Sequence, residues 1–473
     1  MVQRVALALH FVGSIAAYFS IVYVVPLLVA LCNHEEWRVF LWSGLITLGA
    51  GLCLRFAFKP VRELERTDAF LVVSLAWLVL PLLGASCYAF SGLPFIDAFF
   101  ETMSGLSTTG ATVLAHVETL PRGLLLWRSL TQWLGGMGVI VLFIAVLPGL
   151  RVGGSQLFAR EFPGPMPERL RPRIGATARL LWTVYVGFTA AEAGLLYFVA
   201  GLPLFDSVCV SLCTLSTGGF TPTTGSIGAY ANPVAEYIVI AFMFLAGMSF
   251  LIHYQVVRRN LKILVTDEEF RLYVIILLGG TALLVLSEGF GLCRDGLFQA
   301  VSIMTTTGFA TSDFGSWHFG ARIVLLLLML VGGCGGSTAG GMKVVRALVL
   351  LKHSGVMMKK AVSPSAVIAV KCRHKVVPDE VIRDIISFFF LYLVLEILVA
   401  VGLGYLGLDF ETSLSAVAAT LGNVGPGLGA VGPSFSYAWV PPIGKLLLIL
   451  CMWLGRLELF TVLMIFTPYF WRR

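Results

Sequence analysis

Four stretches of this 473-residue chain place threonine and glycine at matched spacings. Together these residue types can strip water from a monovalent cation and replace it with oxygen. Threonine offers a backbone carbonyl and a hydroxyl, and glycine permits the left-handed backbone that turns successive carbonyls toward one axis. The stretches are residues 93–112, 202–221, 293–311 and 408–427. With Gly110, Gly219, Gly308 and Gly422 as position zero, Thr stands at −2 in every copy (Thr108, Thr217, Thr306, Thr420) and Asp at −13 (Asp97, Asp206, Asp295, Asp409). The copies are unequally spaced, 109, 89 and 114 residues apart, so the shared offsets mark one motif used four times. The candidate cation ligands are Thr108, Thr109 and Gly110, then Thr217, Gly218 and Gly219, then Thr306, Thr307 and Gly308, and in the fourth copy Thr420, Leu421, Gly422 and Asn423. That last copy has Leu421 at −1, and Asn423 at +1 where the second and third have Phe220 and Phe309 and the first Ala111. Equal contributions from all four are not expected.

Positioning such oxygens requires particular elements. An Asp ahead of about ten amphiphilic residues suits a helix N-terminus, where a carboxylate meets unpaired N–H groups and the positive dipole end. About twelve residues cannot cross a bilayer, so each segment enters, turns and returns as an extended strand whose carbonyls need partners. The surroundings fit that demand: 58% of the chain is hydrophobic and 12% charged, against roughly 45–50% and 25% in soluble proteins. The net charge of +7 falls in short clusters between apolar runs, which excludes a nucleic-acid surface. Ten spans are expected, near 5–31, 38–58, 69–90, 123–149, 176–201, 233–257, 271–289, 320–352, 382–407 and 440–466. The first is too long for a signal peptide core and has no small-residue cleavage site, so it remains as a helix. Connections on one side of these spans carry 26 of the 33 Lys and Arg, which places that side and both termini in the cytoplasm.

Other groups carry less chemistry. Residues 332–343 interrupt a span with glycine. Gly335 and Gly340 have the opening spacing of a phosphate loop, but Gly341 follows instead of Lys and an apolar helix precedes instead of a strand. A break of this kind belongs beside a cavity, and Gly335, Gly336, Gly340, Gly341 and Lys343 are assigned to a flexible intramembrane gate. Arg456 lies midway along the last span, where its charge must be compensated. Glu458 is two residues away and points to another face, leaving a distant carboxylate or the gate carbonyls as partners, and Arg456 joins the gate as a positive barrier. Glu192, Glu288 and Glu396 read as buried hydrogen-bonding groups rather than coupling sites, because no pairing is visible. Nine Cys without a CxxC pair and seven His without metal spacing give neither a disulfide framework nor a zinc site. Nor is there a GxSxG or an acidic metal motif, which leaves an intramembrane enzyme or scaffold only as a remote alternative. Trp37, Trp42, Trp127, Trp133, Trp439 and Trp471 are expected at the membrane interface.

With these motifs in view, the chain resembles the Trk/Ktr/HKT superfamily of cation transporters, closest to the bacterial TrkH type. The resemblance rests on the four filters, the glycine stretch 332–343, Gly455-Arg456-Leu457-Glu458 and the basic linker around Pro172-Arg173-Ile174. It implies an all-α polytopic membrane protein of about ten transmembrane helices, two leading helices (1–66) followed by four helix/pore-loop/helix repeats (67–160, 161–263, 264–375, 376–473) around one central pore. It further implies potassium uptake across a bacterial inner membrane with no organic cofactor, a homodimer in membrane lipid, and control by a cytosolic nucleotide-binding ring of the TrkA type. A sodium-permeable relative is the alternative within the superfamily, and coupling to protons or sodium stays open. The loops are too short to hold a nucleotide-binding domain, so a partner would dock on the basic segments 151–179 and 352–375, including Arg169, Arg171, Arg173, Lys359 and Lys360.

Overall fold

Lipid offers no water to unpaired N–H and C=O groups, so long apolar runs must close their hydrogen bonds within helices. A computed structural model describes residues 2–59, 65–138, 174–366, 368–372 and 375–471. These residues are overwhelmingly helical, with one short antiparallel pair, Lys371–Cys372 against Lys375–Val376. Val2–Phe19 continues through a 3-10 turn into Val24–Cys32, and Arg38–Ala57 follows. Four units come next, each an outer helix, a short pore helix and an inner helix. The outer helices are Arg66–Gly84 with Ser86–Phe90, Ile174–Phe198, Glu268–Glu288 and Asp379–Tyr405. The pore helices are Phe95–Leu106, Leu204–Leu215, Cys293–Met304 and Phe410–Leu421, and the inner helices are Arg122–Gly136, Pro233–Ala246, Phe319–Val331 and Pro442–Leu457.

Among the described residues, six helices are long and apolar enough to cross a membrane alone, and eight are counted when each bent pair is one span. The shortfall from ten lies in the inner helices, three of which are interrupted within the described residues. Pro233–Ala246 meets Phe250–Val257 at 101°, and Pro442–Leu457 meets Leu459–Phe466 at 110°. Phe319–Val331 stops at Gly332 (φ 71°), and helix resumes only at Val344. The first inner helix is described to Gly136, and residues 139–149 of its expected span lie outside the described residues.

Contacts between successive repeats form a belt at the level of the pore-helix starts. Glu411 of the fourth pore helix pairs with Arg322 of the third inner helix at 2.6 Å, and Arg294 of the third pore helix with Glu236 of the second inner helix at 2.7 Å. Asp97 of the first pore helix reaches Lys445 of the fourth inner helix at 2.5 Å. Between the second pore helix and the first inner helix the contact is Arg122 over the Phe205 ring, 5.6 Å from its centroid. Every pore helix thus rests its first turn on the inner helix of the preceding repeat.

The leading helices pack through small residues, as expected where lipid tails compete equally for larger side chains. Gly13 and Ala17 face Thr47 and Gly51 so closely that a β-carbon on Gly51 would lie 2.5 Å from the Ala17 nitrogen, and one on Gly13 2.6 Å from the Gly51 oxygen. Tyr23 stacks on Trp127 at 4.5 Å, which corrects the interface role expected of that tryptophan: its indole is fully buried against a leading helix. Trp37, Trp42 and Trp439 remain exposed, as anchors would. Gly51→Val should force the two helices apart at a cost of about 1–3 kcal/mol, seen as a reduced monodisperse fraction in detergent chromatography. An unchanged fraction would refute the close crossing.

Candidate ion pathway

Each pore helix has twelve residues and leads into the same backbone turn. The second residue after the helix is left-handed in all four: Thr108 (φ 57°), Thr217 (54°), Thr306 (57°) and Asn423 (54°). The next N–H bonds to the carbonyl five residues back: Thr109 to Ser104 and Gly218 to Cys213 at 2.9 Å, Thr307 to Ser302 at 2.8 Å, Val424 to Ala419 at 2.7 Å. A left-handed glycine follows: Gly110, Gly219, Gly308 and Gly425. Positive φ is an outlier for β-branched threonine and costs about 1–3 kcal/mol. Its recurrence at three Thr marks a conformation imposed by the surrounding structure.

This geometry corrects the register of the fourth copy by three residues. Thr420 and Leu421 are still helical, with the Thr420 hydroxyl bonded to the Ala416 carbonyl at 2.7 Å. Gly422 has an ordinary φ of −77° and gives its carbonyl to Gly341 N at 2.9 Å, away from the strand. Asn423, Val424 and Gly425 hold the backbone conformations of Thr108, Thr109 and Gly110. The Thr-x-Gly of 420–422 is a decoy at the helix end, and the Asp alignment fails with it. Asp97, Asp206 and Asp295 lie inside the first turn of their helices, whereas Asp409 caps its helix from outside, accepting Thr412 N at 3.2 Å. A better guide was Leu93, Leu202 and Leu408, each seventeen residues before its glycine.

In the corrected register the four strands close a ring. A β-carbon on Gly110 would lie 2.1 Å from the Gly218 oxygen, on Gly219 2.2 Å from the Thr307 oxygen, on Gly308 2.0 Å from the Val424 oxygen, and on Gly425 2.5 Å from the Thr109 oxygen. Each glycine admits the carbonyl of the next repeat, and the fourth returns to the first. All four glycines line a single cavity of about 290 Å³ on one side of the ring.

The space around the ring is filled by polar groups, among them Ser107, Thr305 and Gln132, which sequence reasoning did not single out. Thr109 and Thr307 bond Ser107 and Thr305 through hydroxyls at 2.7 and 2.8 Å. Repeat 2 has Gly218 at that position, and the Gln132 amide occupies the vacant side-chain space, donating to the Gly218 carbonyl at 2.6 Å and accepting Phe220 N at 3.0 Å. Asn423 donates to the Thr109 hydroxyl at 2.9 Å and the Met452 carbonyl at 3.2 Å, tying repeat 4 to repeat 1.

On the opposite side lie the interrupted inner helices and residues 332–343. Gly340 N donates to the Thr306 hydroxyl at 2.7 Å, which attaches this stretch to the ring itself. Gly335 N meets Glu269 at 2.5 Å, and the Gly336 carbonyl accepts Phe250 N at 3.0 Å. The Thr338 hydroxyl bonds the Leu215 carbonyl at the end of the second pore helix at 3.0 Å. Lys343 turns its ammonium back onto the Ala339 carbonyl. Arg456 reaches the Thr338 carbonyl and the Thr108 hydroxyl, both at 3.2 Å, and the carbonyls of Gly135 and Gly136. Glu458 is paired with Arg346 at 2.6 Å; it lies on no helix face, being the left-handed residue (φ 59°) at the break between Pro442–Leu457 and Leu459–Leu463. Lys343 and Arg456 both line a second cavity of about 40 Å³, together with Asn423 and Gly340.

Of the remaining expected residues, Glu192 and Glu396 are buried, and Glu288 accepts His318 N at 2.6 Å. Lys359 and Lys360 end the helix Val344–Val362, whereas Arg169, Arg171 and Arg173 lie outside the described residues.

Fold and ring together define an all-helical, multi-pass membrane protein with four pore units closed around one axis. A model of the TrkH family, described as a cation transport protein, matches residues 36–292 and 273–472. The Trk system potassium uptake protein TrkH of Halomonas elongata is 39% identical, over 98% of this chain and 99% of its own length, and that of Escherichia coli strain K12 is 38% identical over 98% of each. The crystal structure of the potassium transporter TrkH from Vibrio parahaemolyticus matches with a TM-score of 0.87 at 35% identity, covering 99% of both chains. The chain belongs to the TrkH family and is a cation transport protein, not an enzyme.

The corrected register has a direct test. Gly425→Ala places a methyl against the Thr109 carbonyl at a φ of 103° and should reduce cation flux by about tenfold or more, given that left-handed strain alone costs roughly 1–2 kcal/mol. Gly422→Ala has an ordinary φ but sets its methyl 2.7 Å from the Ala418 oxygen, so its yield should fall while its flux per molecule falls far less. Equal losses in liposome flux would restore the original alignment.

Proposed function

We propose that the chain carries potassium into a bacterial cell across the inner membrane, through a selectivity filter made by Thr108, Thr109, Gly110, Thr217, Gly218, Gly219, Thr306, Thr307, Gly308, Asn423, Val424 and Gly425. The observation that carries this is the closed ring: four glycines, each against the next repeat's carbonyl, form one passage between an outer and an inner cavity. Main-chain oxygens on such a passage can substitute for the hydration shell of a potassium ion, which is the transported substrate. The relatives are potassium uptake proteins, which supports the same choice of ion. A potential of 100 mV supplies about 2.3 kcal/mol per charge, enough for roughly 50-fold accumulation without a coupled ion. The one left-handed glycine in each strand and the Asn-Val-Gly of repeat 4 favour moderate selectivity, so a sodium-permeable path is the second reading. Potassium and sodium fluxes in liposomes separate the two, and equal permeabilities would favour the second.

The gate is residues 332–343 with Arg456. Gly335, Gly336, Gly340 and Gly341 let the stretch lie under the filter without side chains, and Arg456 adds a fixed positive charge where the dielectric is low and repulsion of a cation is strong. The helix Val344–Val362 runs from this stretch to Lys359 and Lys360. A cytosolic nucleotide-binding ring of the TrkA type, docked on that basic end of a homodimer, would thus hold a lever on the gate. The excess of Lys and Arg on one side supports cytoplasmic termini.

Arg456→Ala removes this fixed positive charge. Potassium flux per molecule should rise while protein yield stays normal. Low yield with unchanged flux per surviving molecule would make the residue structural and reject it as a barrier.

A further inference from the structure

Beside the strands of repeats 1 and 2 lies an ion pair whose Arg128 also lines the cavity shared by the four ring glycines. Glu101, in the first pore helix, is wholly buried, and Arg128, in the first inner helix, is 2% exposed; their side chains meet at 2.9 Å. Both reach past each other to the outer ends of two strands. Glu101 accepts the Thr112 hydroxyl at 2.9 and 3.0 Å and Val113 N at 3.0 Å, holding repeat 1 just beyond Gly110. Arg128 donates to the Thr221 carbonyl at 3.1 Å and lies over the Phe220 ring, 4.0 Å from its centroid, holding repeat 2 just beyond Gly219. Thr112 and Thr221 are equivalent positions, so one charge pair clamps the same point of two neighbouring strands.

No equivalent of Glu101 exists elsewhere. In the corrected register the matching residues of the other pore helices are Val210, Gln299 and Ala416. A carboxylate buried at this position is expensive unless its bonds are used, and here the bonds these two side chains make beyond the ion pair go to Thr112, Val113 and Thr221 of the strands. Charge-assisted bonds of this kind are stronger and geometrically stricter than neutral ones. The Thr221 carbonyl, turned onto Arg128, is drawn out of the ion path, so the pair also sets which oxygens the outer half of the filter presents.

We infer that Glu101 and Arg128 are a positioning pair for ion selectivity, fixing the outer ends of the filter strands in repeats 1 and 2. The inference rests on reading the ring as a selectivity filter.

The test is the potassium-to-sodium permeability ratio of the full-length protein in liposomes, read from reversal potentials. Glu101→Gln combined with Arg128→Gln removes both charges together and leaves no unpaired buried charge. This double variant is expected at near-normal yield with the ratio reduced by about tenfold, because its neutral bonds are roughly half as strong. Arg128→Lys keeps the charge but loses the planar fork that spans the Thr221 carbonyl and the Phe220 ring, and should lower the ratio about threefold. A merely structural pair would lower thermal stability and leave the ratio untouched. Gly219→Ala serves as the filter control. A normal ratio in both pair variants with a reduced ratio in the control overturns the positioning role and keeps the filter. A normal ratio in all three overturns the filter and the inference with it. If the double variant does not accumulate, the ratio of Arg128→Lys decides alone.

Discussion

The approach of each glycine to the carbonyl of the next repeat is the constraint from which the rest follows. Oxygen atoms stand 2.0 to 2.5 Å from where a β-carbon would be, so no side chain fits at these four points. Strands brought that near must leave the helical state, and inside a membrane unpaired backbone survives only beside protein or a water-filled cavity. The twelve-residue pore helices deliver the chain to that depth and end there. Gln132, the paired Ser and Thr hydroxyls and Asn423 then occupy the polar space that the strands leave open.

Charge is distributed on both sides of the ring in different ways. At the level of the pore-helix starts, the belt of Asp97–Lys445, Arg294–Glu236 and Arg322–Glu411 joins pore helices to the preceding inner helices, with a cation–π contact closing the fourth link. Opposite charges are matched there, and the pore helices are held in cyclic order. On the side of residues 332–343, Arg456 binds carbonyl and hydroxyl oxygens. The Gly135 and Gly136 carbonyls that it reaches lie in the last turn of the first inner helix, where carbonyls have no i→i+4 partner within the helix.

Sequence reasoning went astray where two local patterns looked alike. Thr420-Leu421-Gly422 has the Thr-x-Gly spacing of the other copies and an Asp thirteen residues before it. Both features belong to a helix that begins with an outside cap at Asp409 and finishes at Leu421. A residue pattern does not record where a helix stops. That depends on φ at Gly422 and Asn423, which follows from what surrounds them. Trp127 was misplaced for a related reason: an indole near the end of an apolar run resembles an interface anchor until Tyr23 is found stacked upon it.

Composition, apolar run lengths and the four Thr-Gly segments were sufficient to establish an all-helical membrane protein with four pore units, because the bilayer leaves so few ways to satisfy a backbone. The glycine stretch 332–343 and the intramembrane Arg456 were legible for the same reason: each violates a rule of spanning helices and demands a local explanation. Tertiary structure alone decided the fourth register, the partners of Arg456 and the polar groups that brace the strands. Gln132 lies 86 residues from Gly218, and Asn423 lies 314 from Thr109. Contacts so distant in sequence carry no periodic signal. They arise only when four repeats close around one axis and bring each strand against the next.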